Sequence, residues 1–191
     1  MERLANYLAE HYVRKRWIDP EIKLIYQVGF DVLFSTILQV MTVLLAGLAL
    51  HHVQEAVLFL AGFYLLRQYG GGYHARSRMR CLGMMVLLYI GSVYGVIMWT
   101  GIGENLQWYI LAGLFVVSVS VYLRYVPVPN PAKVFIPEHT RRNRRKAIVT
   151  LWIWILGIGT AIVYANAQIW MMMTITLFVV TMLLLVRKIK G

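Results

Sequence analysis

Six apolar runs, each closed by a polar break, divide the chain: Val32–Leu50, Val53–Leu66, Leu82–Thr100, Leu106–Leu123, Ala147–Tyr164 and Ile169–Val186. Most approach the length a helix needs to cross about 30 Å of hydrocarbon. The pattern predicts an all-α polytopic membrane protein, one domain over residues 1–191 with six transmembrane helices. The second run is the short one, with 14 residues from Val53 to Leu66. At about 1.5 Å per residue it reaches only roughly 21 Å. It crosses if the lipid thins locally or if Tyr69 to Gly72 prolong it; taken alone it is also compatible with a re-entrant stub.

Residues 1–29, ahead of the first run, read as an interfacial region. Leu4, Tyr7, Leu8 and Tyr12 follow a helical stripe, with Glu2, Arg3 and Glu10 elsewhere on the wheel. "DPE" at Asp19–Glu21 is a helix start, with Asp as N-cap and Pro in the first turn. That second helix can run through Gly29 into the first crossing. The segment has neither the apolar stretch nor the small-residue cleavage site of a secretory signal. Composition adds the solvent: 60% of residues are hydrophobic and 14% charged, against about a quarter charged in soluble domains. Most of this surface therefore faces lipid.

Charge then sets the orientation. Arg3, Arg14, Lys15, Arg16 and Lys23 precede the first run. Arg67, Arg76, Arg78 and Arg80 follow the second. Arg124, Lys133, Arg141, Arg142, Arg144, Arg145 and Lys146 follow the fourth, and Arg187, Lys188 and Lys190 follow the sixth. These are all 19 basic residues, and the other connections hold none. With six crossings every cation lies on one side, which the positive-inside rule makes cytoplasmic, termini included. The expected location is the cell membrane. The net charge of +11 then speaks for anionic lipid rather than nucleic acid. Residues 124–146 form the long basic cytoplasmic loop. Its prolines keep it extended, and its cations suit lipid headgroups or an acidic peptide. Arg67 falls near the inner interface at the depth of Asp31; it pairs with that carboxylate or meets an anionic group of a substrate.

The stretch "RQYGGGYHARSRMRC", Arg67 to Cys81, is a polar insert between two apolar runs and ends in the only cysteine. A single cysteine excludes an internal disulfide. A histidine and a cysteine at a membrane interface are a candidate base and nucleophile. On one continuous helix His74 and Cys81 lie about 10.5 Å apart along the axis, too far to hydrogen-bond. They meet only if the chain folds back, which Gly70, Gly71 and Gly72 permit. Ser77 can cap the third crossing and put Cys81 in its first turn, where the helix dipole and nearby arginines favour thiolate. Backbone N–H groups there can hold an oxyanion. For a third, orienting residue, Gln68, Asn130, Glu138 and Asn143 are candidates and none is preferred. The structural alternative is a cysteine that fills space or carries palmitate, beside a solvated histidine.

The same stretch resembles the signature of the AgrB family, membrane cysteine peptidases of Gram-positive quorum sensing. Its arginine, glycine pair, histidine and cysteine correspond here to Arg67, Gly71, Gly72, His74 and Cys81. "PVPNPAK" before a basic run also resembles that family's second cytoplasmic loop, and the resemblance covers nearly the whole chain. It implies catalysis by Cys81 and His74 on the cytoplasmic side, with residues 67–81 as the catalytic loop, Arg67, Gly71 and Gly72 supporting the site, and no cofactor or metal. It implies an AgrD-like precursor peptide as substrate. The precursor's acidic tail would suit Arg141, Arg142, Arg144, Arg145 and Lys146, and the enzyme would act as a homodimer. Cys81 would take the signal sequence as a thioester, and a cysteine or serine of the precursor would close a thiolactone or lactone. Two rivals stand beside this. A non-enzymatic transporter or peptide-export partner would carry polar residues at mid-membrane, where Gln39 is an isolated example. A metal enzyme would need more than "HHVQE" at His51–Glu55, which lies on the outer side and lacks a zincin pattern.

Overall fold

In a computed structural model, residues 2–71, 78–99, 103–128, 137–164 and 167–189 are described. The elements they form are all helical. An N-terminal helix, α1 (Glu2–Arg14), is followed by a 3-10 turn at Pro20–Ile22. Six long helices come next: α2 (Lys23–Ala49), α3 (Val53–Gly70), α4 (Arg78–Trp99), α5 (Glu104–Tyr125), α6 (Pro137–Val163) and α7 (Ala167–Ile189).

Asp19 is the N-cap and Pro20 the first residue of the 3-10 turn. Proline's fixed φ suits that position, and its missing N–H is one the helix start leaves unbonded anyway. The chain then runs through Gly29 without a break, so the first crossing begins well before its apolar stretch. On α1 the inward face is small, with Ala5 and Ala9 fully buried. Leu4 and Tyr7 point outward at 53% and 61% exposure, the side an interfacial helix offers to lipid. Glu10 ties α1 to α2 by accepting from Lys23 Nζ at 2.9 Å.

Five helical stretches are long and apolar enough to cross a membrane: Pro20–Ala49, Met79–Trp99, Leu106–Tyr125, Arg141–Val163 and Ala167–Ile189. Helix α3 is not among them. Gln54 and Glu55 at its start and Arg67 and Gln68 at its end dilute its apolar character. It does lengthen through Tyr69 to Gly70. Its setting explains how such a helix is kept: it packs against α7, α6 and α2, with Phe59, Phe63 and Leu66 nearly or wholly buried. Of its polar end residues, Glu55 is buried and Arg67 half-buried within the protein, while Gln54 and Gln68 face outward. Helix α7 shares this central place, with 61% of its apolar window buried against 11% for α2. Its Thr174, Thr176 and Thr181 hydroxyls are satisfied by carbonyls one turn back.

Side-chain pairs fix the relative directions. Tyr64 meets Gln39, and Gly47 abuts Ala56, so α3 runs against α2. Phe59 meets Tyr89 while Arg67 lies near Cys81, so α4 runs against α3. Gly62 abuts Trp154 and Lys146 covers Tyr69, so α6 also opposes α3. Trp154 Nε1 donates to the Met173 carbonyl, while Ile158 and Trp170 face one cleft, as an antiparallel α6–α7 pair requires. Trp108 stacks on Trp170 and Lys188 covers Tyr125, so α5 and α7 are parallel. The six long helices therefore alternate in direction. The starts of α2, α4 and α6 and the ends of α3, α5 and α7 share one end. Every described Lys and Arg lies at that end or on α1 and the turn after it.

The basic run differs from the sequence expectation. Arg124 belongs to the last turn of α5, and Arg141 to Lys146 are helical because α6 begins at Pro137. A proline at the first helical position starts a helix rather than prolonging an extended loop.

Two predictions follow from these contacts. Gly71 ends α3 at φ 80°, ψ −153°, a region nearly closed to other residues. A Cβ there would also come 2.5 Å from the Val128 carbonyl oxygen. Gly71→Ala should destabilise the bundle by about 1–3 kcal/mol, read as a lower melting temperature in detergent; an unchanged melt would contradict the assigned backbone. Glu10 is held below the usual carboxylate range, first by its hydrogen bond to Lys23 and then by that lysine's charge. A depressed carboxylate stabilises above its ordinary pKa, and the contribution is lost as pH falls through the lowered value. Amide exchange in α1 should therefore quicken relative to α2 below about pH 4, and Lys23→Gln should flatten that dependence.

Candidate active site

The cationic end of the bundle holds the thiol. Helix α4 starts at Arg78, so Cys81 is in its first turn, half-buried and free. The dipole at a helix start favours negative charge. Two neighbouring helices bring polar groups to the sulfur. From α2, Gln39 Nε2 donates to Cys81 Sγ at 3.5 Å. From α3, Tyr64 donates its hydroxyl to Gln39 Oε1 at 3.1 Å. Arg67, one turn further along α3, lies within electrostatic reach of both Tyr64 and Cys81. Its guanidinium sits 4.9 Å from the centre of the Phe63 ring. That ring shields one face of the cation while leaving its charge available. Asp31 Oδ1 and Arg67 Nε are both closed off from solvent.

The exit from α3 is pinned. Gly71 N donates to the Arg67 carbonyl at 3.0 Å, and Val128 N donates to the Gly70 carbonyl at 3.0 Å. Tyr122, fully buried on α5, donates to the Leu66 carbonyl at 2.7 Å. Arg67 thus stands on a turn clamped by the segment that leaves α5. Gly71 serves as a fixed corner here, beyond the hinge its sequence suggested.

Of the sequence-predicted site residues, Arg67 and Cys81 are brought together, and Gly71 forms the corner beside Arg67. Gly72 and His74 lie outside the described residues, as do Ser77 and Asn130. Arg141, Arg142, Arg144, Arg145 and Lys146 are exposed on the first turns of α6. Lys146 Nζ sits 5.2 Å from the centre of the Tyr69 ring, which puts the run at the same end as Cys81. Among candidates for an orienting residue, Gln68 and Asn143 are exposed, and the side chain of Glu138 lies outside the described ones. Sequence reasoning missed Gln39 and Tyr64 as members of this cluster. The available signal was the amide itself: a side-chain amide in a helix of otherwise apolar surroundings is costly unless bonded.

At the opposite end, His52 Nδ1 lies 3.1 Å from Glu55 Oε1. With His51, Gln54 and Gln168 they line a cavity of about 510 Å³. Among the described residues, no three His, Cys, Asp or Glu side chains are grouped as a metal site needs.

The helices and this cluster define a multi-pass membrane protein with a thiol set among polar groups at its cationic end. The profile of the accessory gene regulator B family matches residues 1–190, and the chain belongs to that family, AgrB. A relative from Clostridium perfringens (strain 13 / Type A), described as AgrB-like, is 27% identical over 172 residues, 87% of this chain and 80% of the relative. Another, from strain SM101 / Type A, is 27% identical over 171 residues, 87% of this chain and 79% of the other. An AgrB-like protein from Lactiplantibacillus plantarum (strain ATCC BAA-793 / NCIMB 8826 / WCFS1) is 24% identical over 148 residues, 78% of this chain and 72% of that one. No solved structure matches the chain. Membership of the family associates the chain with the processing of agr quorum-sensing peptides.

Proposed function

We propose that this protein is a membrane cysteine endopeptidase that removes the C-terminal tail of an AgrD-like precursor and promotes closure of the signal peptide into a thiolactone or lactone. The observation that carries the reading is the thiol's setting. The chain's one cysteine sits in the first turn of a helix, bonded by an amide and within the field of Arg67, in a protein of this family. The thiolate is the attacking species in cysteine catalysis.

In this mechanism His74 accepts the Cys81 proton. The sulfur attacks the carbonyl at the end of the signal sequence, the tail amine leaves with the proton from His74, and the signal remains as a thioester on Cys81. A cysteine or serine within the precursor then attacks that thioester. Exchange of one thioester for another is near balance, so closure needs no ATP. A site at the lipid boundary that limits water, while holding the internal nucleophile close, favours ring closure over hydrolysis. Arg141, Arg142, Arg144, Arg145 and Lys146, displayed on α6, suit the precursor's acidic tail, and the same cations suit anionic lipid. Homodimerisation belongs to the same proposal.

The membrane topology is part of the reading. Six crossings with both termini and Cys81 on the cytoplasmic side put all 19 basic residues on one side. The alternating directions of α2 to α7 support it. In this reading helix α3 also crosses, with one face packed on α7, α6 and α2 and the other, with Val57 and Leu65, turned to lipid.

Two experiments test this. Cys81→Ala should abolish tail release from a co-purified precursor while leaving membrane insertion intact. Release at the wild-type rate would overturn the nucleophile and favour the transport or export reading. A tag at Gly103, at the start of α5, should be labelled in intact cells; labelling only after permeabilisation would overturn the orientation.

A further inference from the structure

Gln39 lies midway along α2, and both ends of its amide are engaged. Nε2 donates to Cys81 Sγ at 3.5 Å, and Oε1 accepts from Tyr64 at 3.1 Å. Three helices thus meet in one directed chain of bonds. Its direction has a chemical meaning. The Tyr64 hydroxyl fills the carbonyl end of the amide, so the NH₂ end is turned to sulfur. That group has two N–H bonds, and one remains available when the other points at Sγ.

We propose that Gln39 is the donor that steadies negative charge at this centre, first on the Cys81 sulfur and then on the oxygen of the tetrahedral adduct. Tyr64 is the positioning residue that keeps the amide turned that way. The inference rests on Cys81 being the nucleophile. As a sulfur lone pair forms the S–C bond, the carbonyl π pair moves onto oxygen. That oxygen is held one atom from the new S–C bond, beside a donor already in contact with sulfur. Collapse restores the C=O bond and breaks the C–N bond, and the tail nitrogen takes the proton the thiol gave up. The peptide is the only co-reactant.

The groups that face the sulfur divide the work. From α3 come Arg67 and Tyr64, and Arg80 is on the thiol's own helix. Helix α2 carries Asp31 two turns before Gln39, and α7 has no titratable side chain before Arg187. Arg67 supplies charge to the whole cluster. Gln39 supplies a neutral donor aimed at one atom.

The test uses the full-length protein in lipid nanodiscs with its precursor. Gln39→Glu keeps the shape and the acceptor for Tyr64 but sets a carboxylate where the donor was. Turnover at saturating precursor should fall roughly hundred-fold with KM little changed. Alkylation of Cys81 by iodoacetamide at pH 7 should slow about ten-fold. Gln39→Leu, apolar and compatible with a helix in lipid, should show the same losses without the introduced charge. Tyr64→Phe should lower turnover about ten-fold, again with KM little changed. If the amide only stitches α2 to α3, Gln39→Glu keeps wild-type turnover and alkylation, and the donor role is overturned. Cys81→Ala separates the two readings. Tail release by that variant removes the nucleophile, whereas an inactive Cys81→Ala beside fully active Gln39 variants removes the donor alone.

Discussion

A polar group inside hydrocarbon has to find its partner within the protein, because lipid offers none. This constraint governs both the bundle and its cationic end. Helix α3 carries a carboxylate near one end and a guanidinium near the other, and α7, α6 and α2 pack against the face that holds them. The hydroxyls of Thr174, Thr176 and Thr181 close on the preceding turn of their own helix. Tyr122 and Trp154, whose rings are buried, hand their hydrogens to carbonyls of neighbouring helices. The same requirement draws Tyr64, Gln39 and Cys81 into a single bonded chain. Packing alone would accept leucine at these positions; the polar side chains impose register on the helices they join.

Much of this was legible in the sequence. The apolar runs marked the helices, and the distribution of Lys and Arg marked which ends go together before any contact was known. Asp19 and Pro20 announced the start that leads into α2, and the "GGG" stretch marked the end of α3. Boundaries read from apolar runs were too short. The α2 helix begins at Lys23 and α6 at Pro137 because a helix continues past the membrane edge while its backbone bonds continue. Hydropathy has no term for that.

The part of the candidate site that escaped is the part built by tertiary contact. Cys81 and Arg67 stood out because they lie in one short motif. Gln39 is 42 positions away from Cys81 in the chain, and nothing local says which neighbour an amide will choose. Its signal was thermodynamic: a polar group that apolar surroundings would expel must be held by something. Tyr64 gave less, since a tyrosine near a membrane boundary is ordinary. Gly71 was legible as a place of freedom, but its positive φ and the Val128 contact make it a corner with one permitted shape.

Burial is divided unevenly between the helices. Helix α2 shows most of its surface outward, and its inward edge centres on Gln39, Val43 and Gly47, spaced one turn apart, with Val43 and Gly47 buried and Val40, Leu44 and Ala46 half-buried beside them. Helix α7 is enclosed on nearly every side. Drift under selection should therefore run at different speeds along the two. Leucine, isoleucine, valine and methionine are interchangeable over most of α2, where any oily side chain satisfies lipid. On α7 each replacement has to suit several neighbours at once. The helix that supplies the amide is thereby free to change over its outward face and held along the side from which the amide projects.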